Sequence, residues 1–254
     1  MEHRVCIIQR NITWLDVEAN LCAIEREVAD VSADVFVLSE MFQTGFATDP
    51  RDVAESEDGR TLEWMREFAR SKDAAVAGSI AVAVDGEYRN RMYFVKPDGS
   101  VVYYDKHHLF TIGDEGEFFT AGDRRVVVEW RGVRYLLQVC FDLRFPVWSR
   151  QQGDYDVAIY SALWPAPRRD VWQLLLKARA VENQCYVVGV NRIGYEPTLQ
   201  YVGDSVVVDP YGRESASLGA EAGVAVACVD LEHLNAFREK FAVGREADKF
   251  EIIK

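Results

Sequence analysis

The chain has 254 residues, 49% hydrophobic and 28% charged, a composition that suits a globular protein with a sizeable core. Its 41 acidic against 29 basic residues leave a net charge of −12, which argues against nucleic acid and anionic membrane as partners, since both select basic surfaces. No apolar run approaches the ~20 residues of a membrane helix. The start, "MEHRVCIIQRN", carries too short an apolar stretch for a signal peptide, and five scattered cysteines without CxxC or Cys/His pairing imply reduced thiols in a cytoplasm and no zinc.

In chain order, residues 5–9 read as a buried strand. Residues 17–31 read as a helix with Val17, Leu21, Ile24, Val28 and Val31 at helical spacing. A short strand over 34–38 ends at Ser39-Glu40, and 61–72 is a helix turning Leu62, Met65, Phe68 and Ala69 inward. Strands over 75–84, 89–96 and 101–104 are separated by the hairpin signals "DGE" and "PDGS". Strands over 126–130 and 133–139 meet at Arg131-Gly132. Then come a strand over 157–161, a helix over 170–183, strands over 186–191, 204–208 and 224–229, and a helix over 231–241. No repeat or long linker interrupts the chain, so 1–254 reads as a single domain. Strands and helices alternate early and late, which predicts an α/β fold with mixed sheets covered by helices and enough strands for two sheets.

Four polar residues break this pattern in chemically useful places. Cys140 sits where the apolar strand 133–139 runs into the turn "FDLRFP". Chemistry gathers at strand carboxyl ends in α/β sheets, although a free cysteine also serves as a small core residue. Glu40, flanked by Leu38, Met41 and Phe42, is either a partly buried general base with a raised pKa or a strand-end carboxylate bonded to a helix N-terminus. Lys106, after "VVYY", is either a snorkelling surface lysine or an oxyanion donor. Arg144, in the turn after Cys140, can fork onto a substrate carboxylate, Asp142 or a main-chain carbonyl. The adjacent His107 and His108 raise a Cys–His dyad as an alternative. With no phosphate loop, dinucleotide fingerprint or metal motif, the reaction reads as cofactor-free.

Three segments, "LSEMFQTGF" around Glu40, "YYDKHHLF" around Lys106 and "QVCFDLRFP" around Cys140, resemble in order the Glu, Lys and Cys motifs of the nitrilase, or carbon–nitrogen hydrolase, superfamily. "LLLKARAVENQCYVVGVNRIG" and "GDSVVVDPYGRESAS" resemble its succeeding elements. The resemblance implies a four-layer αββα sandwich of two mixed sheets and a homodimer or larger even assembly. It makes Glu40 the base, Cys140 the nucleophile, and Lys106 and the Phe141 N–H the oxyanion donors. Glu115 is the auxiliary carboxylate, with Glu117 the second candidate. "EMFQTGF", "CFDLRFP" and "WP" followed by Arg resemble the omega-amidase branch, which deamidates small dicarboxylate monoamides such as 2-oxoglutaramate and 2-oxosuccinamate. There Arg144 would clamp the distal carboxylate, and Phe42 and Trp164 would wall the pocket. The chain departs from the branch at Phe141, Leu163 and Ala242. A nitrilase or N-carbamoyl hydrolase is the neighbouring alternative, and a non-catalytic metabolite-binding scaffold the alternative from another class.

Overall fold

The structure, a computed structural model, describes residues 2–196 and 199–252. β1 (His3–Gln9) leads through α1 (Val17–Glu27) to β2 (Val35–Val37), parallel to β1. β3 (Glu55–Ser56) and α2 (Arg60–Lys72) lead to β4 (Ala75–Val84), parallel to β2, and β5 (Glu87–Val95) and β6 (Val101–Asp105) follow as antiparallel neighbours. The β4–β5 turn places Asp85 and Gly86 at φ 51° and 83°, the doubly left-handed pair that lets two twisted strands join tightly.

A short α3 (Glu115–Phe118) precedes the hairpin of β7 (Val127–Trp130) and β8 (Val133–Val139), whose Arg131-Gly132 turn repeats that conformation. β9 (Val157–Ser161), α4 (Arg169–Asn183) and β10 (Tyr186–Val190) continue the second sheet with β8, β9 and β10 all parallel. β11 (Ile193–Tyr195) and β12 (Gln200–Val202) form a separate hairpin, and β13 (Val206–Val208) and β14 (Glu214–Ser217) extend the second sheet antiparallel. β15 (Gly223–Val229) returns to pair antiparallel with β1, and α5 (Leu231–Lys240) follows. Among the described residues, the first sheet has seven strands, ordered β15-β1-β2-β4-β5-β6 with β3 beside β4. The second has six, ordered β14-β13-β10-β9-β8-β7.

Strand alternation builds four layers. Val5 and Ile7 of β1 point to the centre, where they join Val35, Val37, Met92 and Phe94 against Tyr135, Leu137, Val139, Ile159 and Val188 of the opposing sheet. Cys6 and Ile8 point outward, where Leu21 and Ile24 of α1 and Leu62, Met65 and Phe68 of α2 cover them. On the far side, Trp172, Leu176 and Ala180 of α4 cover Leu136, Ala158, Tyr160 and Val187. This is the αββα sandwich. Aliphatic side chains on both faces of each sheet drive it, since every buried side chain of this size contributes about 1.5–3 kcal/mol.

The first helix is shorter than its apolar spacing predicts. It ends at Glu27, where the Lys72 ammonium from α2 bonds the Val28 and Ala29 carbonyls and satisfies the helix end. β3, β11, β12 and β14 were not foreseen, being two to four residues long with no apolar alternation to announce them. Among the described residues, no helix is long and apolar enough to cross a membrane.

Candidate active site

The two sheets meet where β2 and β9 end. The Leu38 carbonyl accepts from Ser161 Oγ at 2.8 Å, and the Glu40 N–H reaches the Ala162 carbonyl at 3.4 Å. Glu40, 1% exposed, emerges at this seam. Its Oε1 accepts from Lys106 Nζ at 2.9 Å and Asn90 Nδ2 at 2.7 Å, and its Oε2 from the Leu163 N–H at 2.9 Å. Among the described residues no helix N-terminus caps it, so the structure replaces the strand-end alternative with a buried ion pair.

Lys106 follows β6, which runs in the direction of β2, and is 1% exposed, so it is not a surface lysine. Its ammonium also donates to Glu115 at 2.9 and 3.1 Å. Glu115 is fully buried at the start of α3 and additionally accepts from the Phe110 N–H at 2.6 Å and Asn90 Nδ2 at 3.0 Å. Glu117 is exposed, which leaves Glu115 as the carboxylate that faces the lysine. Burial lifts the Glu40 carboxyl above its ordinary range; Lys106 opposes that rise and the Glu115 charge adds to it. For Lys106, burial works against the charge, but Glu115 and Glu40 outweigh it and hold the ammonium firmly protonated.

Cys140 begins a 3₁₀ turn, Cys140–Arg144, directly after β8, with its backbone in the left-handed region at φ 43°. A non-glycine residue held there marks a geometry imposed by its surroundings. The clasp is Asp142, fully buried, whose carboxylate accepts from the Val139 N–H at 3.0 Å, Tyr104 Oη at 2.8 Å, and the His108 N–H and Nδ1 at 3.0 and 2.8 Å. The thiol lies 3.8 Å from the carbonyl of Leu163, the residue whose N–H donates to Glu40, and Cys140 and Glu40 line the same cavity. Burial and the Glu40 charge raise its pKa well above the ordinary thiol value, so it rests protonated beside its acceptor. The N–H groups opening the Cys140–Arg144 turn have no acceptor within it, which suits Phe141 to hold an oxyanion.

Glu40, Lys106, Cys140 and Phe141 line a cavity of about 120 Å³ that also includes Arg144, Trp164, Phe110 and Tyr201. Arg144 does not pair with Asp142; its guanidinium lies over the Trp164 ring, 5.3 Å from the centroid. Asn191 fixes Trp164 by bonding both its N–H and its carbonyl. Phe42 is placed elsewhere, which corrects its expected position at the pocket wall. The left-handed turn at Met41 (φ 40°) swings Phe42 into the layer under α2, 5.9 Å from the Trp64 ring, and Phe46 lines the cavity instead. The histidines do not reach the thiol. His108 is bound to Asp142 and stacked on Phe145, and His107 is stacked on Trp148 with Nδ1 2.6 Å from the Gly122 carbonyl.

Asn90 is the residue that sequence reasoning passed over. One amide nitrogen bridges both carboxylates, while its Oδ1 is buried without a partner among the described residues. Rotating the amide would set that oxygen against two anions, so the orphan is the lesser cost. In sequence Asn90 lies between Arg89 and Arg91 in the polar half of β5, which gives no sign of its burial.

A base against a thiol and an ammonium beside both can cleave an acyl bond by nucleophilic attack. The family model for carbon–nitrogen hydrolases matches residues 4–239. The omega-amidase YafV of Yersinia enterocolitica is 44% identical over 98% of both chains. The 2-oxoglutaramate amidase of Bacillus subtilis is 38% identical over 83% of both. A solved carbon–nitrogen hydrolase superfamily protein from Xanthomonas campestris, with an arsenic adduct in its active site, superposes with a TM-score of 0.96 at 34% identity over 99% of each chain. With sequence match, fold and cavity in agreement, this chain belongs to the carbon–nitrogen hydrolase family.

Proposed function

We propose that the protein is an omega-amidase, a thiol amidohydrolase that releases ammonia from small carboxylated amides of the 2-oxoglutaramate and 2-oxosuccinamate type. The observation that carries the reading is that Cys140 and Glu40 line one cavity on either side of Leu163, with Glu40 2.9 Å from a lysine shared with a second carboxylate. Glu40 takes the thiol proton as sulfur attacks the amide carbonyl. Lys106 and the Phe141 N–H stabilise the oxyanion, Glu40 returns the proton to nitrogen, and ammonia leaves behind a Cys140 thioester. Water, deprotonated by Glu40, then releases the carboxylate and restores the thiol. Arg144 clamps the distal carboxylate, and Trp164 shapes the wall beside it.

Mass spectrometry of the protein mixed with 2-oxoglutaramate under acid quench tests this reading. An acyl adduct on Cys140, absent from an inactive Cys140→Ala variant, is expected. Ammonia release only from nitriles or N-carbamoyl amino acids would overturn the amide assignment, and activity surviving in Cys140→Ala would overturn the covalent step.

The protein acts in the cytoplasm as a homodimer. Support for the dimer comes from an apolar ridge: Leu174 and Val181 of α4 are 68% and 51% exposed, and Gly212 packs against Val181. Beside it, the rings of Tyr211, Phe237 and Phe241 form a chain.

A further inference from the structure

Buried and partly buried arginines in this protein commit their guanidiniums to acceptors: Arg91 to Asp105, Arg134 to Asp156, Arg179 to the Leu143 carbonyl and Arg192 to Glu196. Among the described residues, two partly buried arginines have a guanidinium without a hydrogen bond or ion pair, Arg144 and Arg168, and both line the cavity of Cys140. Each lies over a ring instead, Arg144 over Trp164 and Arg168 over Phe110 at 5.0 Å from the centroid. They are mechanically joined, because the Trp164 indole under Arg144 donates to the Arg168 carbonyl at 2.8 Å. Neither forms an ion pair with Glu40 or Glu115, whose counter-charge is Lys106. The cavity therefore keeps two cations unmatched until something anionic enters.

One planar carboxylate satisfies one guanidinium fork. The second cation then meets the next group along the substrate chain. We infer that Arg168 is a specificity-determining residue, and that with Arg144 it selects amides whose carboxylate is flanked by a 2-oxo oxygen and rejects those bearing a 2-ammonium group. A 2-oxo oxygen gives Arg168 an acceptor, a methylene gives it nothing, and an ammonium brings a third positive charge into a confined, partly apolar space. The inference rests on the omega-amidase reading and names the chemistry of that same site.

Three substrates of equal chain length isolate the effect: 2-oxoglutaramate, glutaramate and L-glutamine differ only at C2. For the unaltered enzyme, kcat/KM is expected to favour 2-oxoglutaramate over glutaramate by ~10-fold or more and over L-glutamine by ~100-fold or more. Arg168→Met, close in length and uncharged, is expected to lose ~10-fold or more on 2-oxoglutaramate while changing glutaramate by less than ~3-fold, so that the preference collapses, with Arg168→Lys between the two. Retained glutaramate turnover shows that the variant is folded. Equal loss on 2-oxoglutaramate and glutaramate, or an unchanged ratio between them, overturns the inference and leaves the amidase reading standing. An unaltered enzyme that hydrolyses none of the three overturns both.

Discussion

Glu40 and Glu115 share one lysine, so the buried trio of acidic and basic groups carries a net negative charge. That imbalance, together with burial, is what lifts the Glu40 carboxyl and makes it a competent proton acceptor for a thiol that rests protonated. The proposed mechanism requires ionised Glu40. Because its pKa is raised, the acid limb of kcat/KM is expected at a higher pH than the ordinary glutamate value of about 4.3. No rise in rate should follow the ordinary thiol range near pH 8–9, since the proton leaves during attack rather than beforehand. A rate that climbs through that range would show a free thiolate as the nucleophile. Lys106→Met removes the counter-charge from two buried carboxylates. It is expected to cost ~100-fold or more in kcat, to move the acid limb further up, and to lower stability by about 3–5 kcal/mol. Chemical denaturation and a pH–rate profile check the three effects together.

The element that aims the nucleophile is a single turn. Asp142 gathers bonds from β8, from Tyr104 of β6 and from His108, and so ties the Cys140–Arg144 turn to both sheets. Asp142→Asn preserves volume but puts an amide donor where donors already point. It is expected to lower kcat by ~10–100-fold with KM changed far less, because a displaced nucleophile costs rate more than binding. Steady-state kinetics with 2-oxoglutaramate would separate this from a binding defect, which would instead raise KM alone. At this scale the sequence was informative where elements were long and apolar: β8 and β9 fall on the predicted residues, and α2 and α4 begin one residue early. The expectation failed where a tertiary contact decides the outcome. α1 stops just before the Val28 and Ala29 carbonyls that Lys72 of α2 bonds, and the turn at Met41, not the run of apolar residues, sends Phe42 to the outer layer. Arg168 and Asn90 escaped notice for a related reason. Their significance lies in which partners they lack or share, and that is visible only when distant elements are brought together.

Across the whole molecule, strand and helix patterning indicated mixed sheets covered by helices, and the resemblance of the Glu, Lys and Cys segments to a known superfamily implied the αββα layers that the three clusters form. The outer surface is the less legible part, since an exposed Val181 looks ordinary until the fold sets it beside Gly212, next in sequence to the exposed Tyr211. Sedimentation velocity is expected to find a dimer, and Val181→Glu to shift it toward monomer by burying an unpaired charge in the interface. A monomer in the unaltered protein at micromolar concentration would refute that assembly. The seam between β2 and β9 carries a different consequence. One sheet supplies Glu40 and Lys106 and the other supplies Cys140, and among the described residues three bonds join them there: Leu38 to Ser161, Glu40 to Ala162 and Glu40 to Leu163. Turnover is thus a gauge of how the halves are docked. A loosened state that keeps both sheets but lets them slide would retain its circular dichroism and fall silent as a catalyst.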